Sequence, residues 1–324
     1  MKLNAIYQGD CIKVLNEKID EQSVDLIFAD PPYNLSGNGL KWEGNKTGGD
    51  WYMVNEEWDK MTAPEYMQFT KKWIDACHKV LKDNGSIYIS CTYHNLAEVM
   101  IVLKQLDFKI NNVIVWQKIN AMPNMTKRVF THSIEFVVWA VKGKKWIFNY
   151  QELKKINPEK QKDSSPKQMR DAWSLPLVQG KERLRGKDGR ALHPTQKPEE
   201  MLKRIIIASS NKEDLVLDPF LGSGTTAVVA KRLGRDWIGI EKGRKYVDMA
   251  KKRIAQIKQL ECMSKYDNLK ILKKTRARTN HICIKCGQQI NAGDFYHAEG
   301  MKDKFLHSLH RKKFCNKCYE ENRK

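Results

Sequence analysis

Two stretches far apart in the chain carry side chains whose types and spacing could do chemistry. The first is Asp30-Pro31-Pro32-Tyr33, directly after the apolar run Val24-Asp25-Leu26-Ile27-Phe28-Ala29. Tandem prolines lack the donor a central ladder needs and fix φ. A strand over the apolar run must therefore stop there and present a carboxylate, a carbonyl and an exposed aromatic ring at its carboxyl edge. In an open α/β sheet that edge is where ligands bind. The second stretch is Asp214-Leu215-Val216-Leu217-Asp218-Pro219-Phe220, another apolar strand, followed by Leu221-Gly222-Ser223-Gly224-Thr225-Thr226 and a helix running to Gly234. Glycines let a backbone approach its ligand, and the first N–H groups of a helix face an anionic group. The next apolar run, Trp237-Ile238-Gly239-Ile240, ends in Glu241, near the spacing at which a βαβ unit sets an acid against ribose hydroxyls. No Lys-Ser or Lys-Thr follows the glycines, which argues against a Walker-type phosphate loop.

Taken together, these residues resemble the amino-directed DNA methyltransferases of restriction-modification systems, which use S-adenosylmethionine. The resemblance covers residues 1–260. Asp30-Pro31-Pro32-Tyr33 matches the family's catalytic motif, and Asp218-Pro219-Phe220-Leu221-Gly222-Ser223-Gly224-Thr225-Thr226 is similar to its cofactor motif. The catalytic motif comes first, the permuted order of the β class. His193-Pro194-Thr195-Gln196-Lys197-Pro198 and the opening Gln8-Gly9-Asp10-Cys11 match that class too, and Phe130-Thr131-His132-Ser133-Ile134-Glu135 most resembles adenine methyltransferases of GATC-type systems, including that of the DpnII system and, less closely, the MboII type. The resemblance implies a Rossmann-like S-adenosylmethionine-dependent methyltransferase fold, a doubly wound, mostly parallel sheet. It implies further that Asp218, Phe220, Gly222, Gly224 and Thr225 surround the methionine end of the cofactor and that Glu241 holds its ribose. Asp10 and the Cys11 backbone would read its adenine ring, and Lys197 would stand near its carboxylate. A Gly-Asp pair before a helix is also a plain N-cap. His132 and His193 read as structural or DNA-proximal, since no acid-base step demands them.

The chemistry this implies can be argued from the groups themselves. The lone pair of an exocyclic amine is delocalised into the base, so the nitrogen must be made more tetrahedral before it attacks a methyl group. Acceptors on its two N–H bonds, the Asp30 carboxylate and the Pro31 carbonyl, would turn the lone pair out of conjugation. Direct in-line transfer then depends on proximity and alignment. A base inside a duplex must be extruded first, with Tyr33 stacking on it. Carbon-directed methylation of cytosine would require a nucleophilic cysteine after proline, and the chain has no Pro-Cys pair. N4 of cytosine and adenine in RNA remain competitors, with Asp rather than Ser at the first motif position leaning towards N6 of adenine.

Around these motifs the pattern alternates strands and helices. Helical spacing of apolar residues predicts helices over 65–81, 96–106 and 199–209, and buried strands over 85–90, 113–116 and 136–141. Residues 34–58 hold Trp42, Trp51, Tyr52 and Trp58 among Gly, Asn and Lys, which predicts a mobile aromatic loop over the target base. Residues 150–192 are the target-recognition region by position in the resembled family. Nine basic residues against four acidic fall between Lys160 and Arg190. The 324 residues carry a net charge of +20, which favours a polyanionic partner, namely DNA. No run is long and apolar enough for a membrane-crossing helix and the N-terminus lacks an apolar signal core, so the expected location is cytoplasmic. A homodimer and a cognate restriction endonuclease are further partners that the resemblance allows.

The tail carries a separate signal. Cys283-Ile284-Lys285-Cys286 and Cys315-Asn316-Lys317-Cys318 enclose residues 290–297, which read as a hairpin. Four thiolates at this spacing predict a tetrahedral structural zinc site in a module over 281–324, reached through a mobile basic linker over 261–280. Such a short segment would draw its folding free energy from the metal. His297, His307 and His310 could each replace a cysteine ligand. Two other classes stay open. A zinc-containing nuclease fused at the tail fits Leu306-His307-Ser308-Leu309-His310 poorly, and a non-catalytic DNA-binding regulator is at odds with an intact Asp30 and glycine turn.

Overall fold

The computed structural model describes residues 1–34, 61–124, 127–159, 161–163, 165–186, 188–257, 272–278, 280–283, 285–299 and 313–321. The aromatic loop expected over 34–58, apart from Asn34, lies outside the described residues, as do His307 and His310. The chain forms two compact units, one of residues 1–150 and 169–259, the other of 151–168 and 260–324. The expected recognition region is thus divided between them.

The first unit is built on an eight-stranded sheet. Its strands are β1 (Ala5–Gln8), β2 (Val24–Ala29), β3 (Leu81–Cys91), β4 (Lys109–Lys118), β5 (Ile134–Val141), β6 (Ala172–Leu175), β7 (Leu215–Asp218) and β8 (Asp236–Glu241), in the spatial order β1-β8-β7-β2-β3-β5-β4-β6. From β1 through β3 every pairing is parallel, while β5 runs antiparallel to both β3 and β4. This is a mixed α/β sheet, mostly parallel. All six residues of β2 are buried, as a strand covered on both faces requires. Its one ionisable member, Asp25, is satisfied by Lys82 at 2.7 Å and by the Leu215 N–H at 2.9 Å.

The helices follow their local signals. Helix α1 (Cys11–Lys18) starts at Asp10, and α2 (Ala63–Val80) opens with a capping box between Thr62 and Glu65. Helix α3 (Leu96–Gln105) precedes α4 (Tyr150–Ile156), which apart from Tyr150 belongs to the second unit, and α5 (Glu199–Ser209) begins after Pro198. Helices α6 (Thr225–Arg232) and α7 (Arg244–Ala255) complete the first unit. One expectation shifts: the strand expected over 85–90 is longer, beginning at Leu81 directly after α2 stops at Val80. The core packs Trp73, Ile74 and Cys77 of α2 against β2, β3 and β7.

In the second unit β9 (Leu272–Arg276), β12 (Phe295–Glu299) and β13 (Lys313–Cys315) form one sheet, while β10 (His281–Ile282) pairs with β11 (Gln289–Ile290). Helix α8 (Asn316–Glu321) follows β13. Two expectations are corrected here. The stretch 290–297 is not a hairpin, because its two ends pair with different strands, and part of the presumed linker, 272–276, is an edge strand. No helix among the described residues is long and apolar enough to cross a membrane.

Candidate active site

Strand order puts the two chemical motifs side by side. β2 and β7 are adjacent and parallel, with Leu26 opposite Val216 and Ile27 opposite Leu217, so Asp30 and Asp218 leave the sheet at one edge although 188 residues separate them. β8 and β1 follow on one side, where Gln8 is opposite Glu241 and the Gly9 N–H donates to the Glu241 carbonyl at 3.0 Å. On the other side stands the end of β3. Because β5 is antiparallel to β3, its first residues, Glu135 among them, reach the same edge, as does Lys118 at the end of β4.

The glycine turn is shaped as the sequence requires. Gly222 and Gly224 have φ of +49° and +79°, the left-handed region that other residues enter at a cost. A Cβ on Gly222 would meet His193 Nε2 at 2.8 Å, and one on Gly224 would meet Ala250 Cβ at 3.0 Å. Asp218 is buried and accepts from the Phe220 N–H at 2.9 Å and the Thr226 hydroxyl at 2.5 Å. Burial, reinforced by the nearby Asp30 and Glu241 charges, outweighs those bonds and lifts its carboxyl to about 7. Glu241 accepts from the N–H groups of Gly222 at 2.8 Å and Gly243 at 2.7 Å, and burial raises its carboxyl above the ordinary range. A carboxylate has about four acceptor positions, so Glu241 can still receive ribose hydroxyls. Arg253, buried, braces the turn through the Ser223 carbonyl at 3.1 Å and the Thr225 hydroxyl at 2.9 Å, and is itself paired with Glu199 at 2.7 Å.

Several expected residues take specific places. Asp10 caps α1, its Oδ1 accepting from Ile12 and Lys13 at 3.0 and 3.2 Å, and Cys11 is buried with its thiol pushed up to about 12 by burial and the Asp10 charge. Phe220 packs edge-on against Trp73, ring centres 5.3 Å apart. His193 sits against Gly222 and Tyr246, and burial among cationic neighbours lowers it to about 4, so it stays neutral. His132 is exposed and stacks on Tyr93 at 5.4 Å.

The catalytic end differs from expectation at Tyr33. Tyr33 is half-buried, not exposed: its hydroxyl donates to Asp30 Oδ1 at 2.8 Å and lies 2.7 Å from the Ser90 hydroxyl and 3.4 Å from Glu135. Burial and those two carboxylates hold the phenol well above its usual value. Lys197 is engaged at the Asp30 end of the site. Its ammonium contacts both oxygens of Asp30 at 2.8 Å and lies 3.8 Å from Glu135 Oε2 and 5.1 Å from the Tyr33 ring centre. Tyr66 of α2 donates to the Pro32 carbonyl at 2.9 Å and accepts from Asn95 at 2.9 Å, which fixes the turn that carries the Pro31 carbonyl. Asn34, with φ of +56°, makes a two-point contact with the Met61 backbone at 2.8 and 2.7 Å.

Glu135 and Lys118, 2.8 Å apart, were not legible as site residues. Burial disfavours the Glu135 charge, yet Lys197 and Lys118 outweigh it and hold the carboxyl below its ordinary value. The available signal was an acid at the head of an apolar strand, and its meaning depends on that strand being antiparallel.

A left-handed glycine turn beside an acid and a fixed prolyl carbonyl on one sheet edge is an arrangement suited to group transfer. The DNA methylase family model that covers N6 and N4 amino methyltransferases matches residues 24–252, and the chain belongs to that family. It is 42% identical over 261 residues to the Type II methyltransferase M.HinfI of Haemophilus influenzae, covering 79% of this chain and 69% of that protein. It is 45% identical over 259 residues to the Type II methyltransferase M2.LlaDCHI of Lactococcus lactis subsp. cremoris, covering 78% and 90%. Among solved structures it resembles the M1.HpyAVI–SAM complex, with a TM-score of 0.53 and 28% identity over 77% of this chain and 98% of that one. It shares its fold with the cytosine-N4-specific PvuII DNA methyltransferase, with a TM-score of 0.59 and 20% identity over 79% and 88%.

In the second unit the sulfurs of Cys283, Cys286, Cys315 and Cys318 all lie within 4.8 Å of one another, with Cys286 and Cys315 3.8 Å apart. The Cys315 N–H donates to the Cys283 sulfur at 3.3 Å. His297 is buried and stacked on Tyr319.

Proposed function

We propose that this DNA methyltransferase transfers the methyl group of S-adenosylmethionine to the exocyclic N6 amino group of adenine extruded from duplex DNA. The observation that carries the reading is the adjacency of β2 and β7, which sets Asp30 beside the glycine turn. When bound, S-adenosylmethionine supplies an electrophilic sulfonium methyl group. Asp218, Phe220, Gly222, Gly224, Thr225 and Glu241 would hold it, and the narrow turn with two left-handed glycines leaves backbone rather than side chains facing it. Asp10, engaged as a cap, would contribute to the adenine end beside Cys11. The Asp30 carboxylate and the Pro31 carbonyl accept the two amino N–H bonds, and Asp30 takes the proton that the methylated amine releases. The Tyr33 ring, with Lys197 over one face, offers the other to the base. Asp rather than Ser at position 30 supports adenine over cytosine. As the names of the Type II relatives suggest, the chain would protect cytoplasmic DNA from a cognate restriction endonuclease.

The tail unit holds a structural zinc ion on Cys283, Cys286, Cys315 and Cys318. Tetrahedral sulfur ligands about 2.3 Å from zinc lie about 3.8 Å from one another, which supports this reading. Mapping modified bases in DNA from cells expressing the protein tests the methyltransferase assignment and reads out the recognition sequence. N6-methyladenine at one short motif, lost with Asp30→Ala, is expected. N4-methylcytosine would move the assignment to the other amino group, and methylation that survives Asp30→Ala would reject the acceptor role.

A further inference from the structure

Asp30 must accept an amino N–H from the base, yet in this structure three of its roughly four acceptor positions are occupied. Lys197 contacts both at 2.8 Å, and the Tyr33 hydroxyl is on Oδ1. The remaining position is on Oδ2, which the ammonium already contacts, so an entering amine competes with Lys197 for that oxygen. An ammonium that leaves a buried carboxylate needs another anion, because an unpaired buried charge is strongly disfavoured. Glu135 is placed to be that anion. Its Oε2 is 3.8 Å from the Lys197 nitrogen, and a shift of about 1 Å would bring the pair to charge-assisted hydrogen-bond distance. Its other oxygen is anchored at 2.8 Å by Lys118, so the acceptor is fixed while the lysine moves. Asp30, Lys197, Glu135 and Lys118 thus alternate in sign along one path.

We propose that Lys197 holds the place of the target amino group on Asp30, and that Glu135 is a positioning residue that draws the ammonium aside when the base enters. This rests on the acceptor role of Asp30 proposed above and adds a second state of the same site. Glu135→Gln is nearly isosteric and removes the alternative anion, so Lys197 stays on Asp30. The base is then misplaced, with an expected loss in kcat of about 100-fold.

The decisive readout needs no cofactor. The mapped duplex is prepared with the target adenine, or with purine lacking the amino group, opposite an abasic site, and the two dissociation constants are compared. Wild-type protein should prefer adenine by about tenfold, Glu135→Gln should lose the preference, and Glu135→Gln/Lys197→Met should regain it because no ammonium remains to block Asp30. A merely structural role predicts the double variant to be no better than the single. That result, or a wild-type preference in Glu135→Gln, overturns the proposal. Asp30→Ala in the same assay separates the two levels: an undiminished preference there removes the acceptor reading itself, whereas its loss alongside a wild-type Glu135→Gln removes only the role of Glu135.

Discussion

Gly224→Ala isolates what the glycine turn requires, because the chain supplies its own control. Gly224 caps α6 at φ +79° and ψ +18°, and a Cβ there would lie 3.0 Å from Ala250 Cβ and 3.4 Å from Ala250 Cα on α7. Gly234 has nearly the same backbone, φ +72°, but nothing within 4 Å of the added carbon. Alanine in the left-handed region costs about 1–2 kcal/mol at either site. The stiffer unfolded chain returns about 0.4–1 kcal/mol at both. Only at Gly224 does a rigid helix have to give way, adding about 1–3 kcal/mol. Urea unfolding should therefore show Gly224→Ala less stable than Gly234→Ala by about 1–3 kcal/mol. Calorimetry with S-adenosylmethionine should show weakened binding for the first variant alone. Equal stability losses, or unchanged cofactor affinity in Gly224→Ala, would refute the close-packed turn.

Further outcomes follow from the same structure. The folded chain holds the Asp218 proton up to about 7, while an unfolded aspartate loses it near 3.8, so its contribution to stability is full below the lower value and gone above the upper. Unfolding free energies measured between about pH 4 and pH 8 should fall less with rising pH in Asp218→Asn than in wild type. Purified protein should contain one zinc per chain by elemental mass spectrometry, and Cys286→Ser/Cys315→Ser should lose it. Alanine at Arg183, Arg185 and Arg190 should weaken duplex binding and flatten its dependence on salt by up to about 3 in slope, measured by fluorescence anisotropy. An unchanged slope would remove this segment from the DNA interface.

Much of the site was legible because local chemistry dictated it. The prolines after Asp30 end β2 in any context, and a glycine turn between an apolar strand and a helix has few alternatives. Helix α5 was readable to the residue, since Pro198 sets its start. What escaped depended on partners distant in sequence. Strand polarity is not written in an apolar run, so nothing marked Glu135 as an acid at the catalytic edge. Trp173 and its neighbours were read only as part of the recognition region, because β6 is short and takes its place only by pairing with β4. That Lys197 contacts Asp30 was not legible, because motif order says nothing about side-chain reach. In the tail, the turn at Asn291–Asp294 was visible, but pairing of its flanks with β10 and β9 was not.

The central claim is that Asp30 and the glycine turn form one methyl-transfer centre for an amino group in DNA. Its most direct test is digestion of duplex DNA to nucleosides after incubation with purified protein and isotopically labelled S-adenosylmethionine, followed by mass spectrometry. Labelled N6-methyladenine from wild-type protein and none from Asp30→Ala is the predicted result. Label on a ring carbon, or equal label from both proteins, would contradict it.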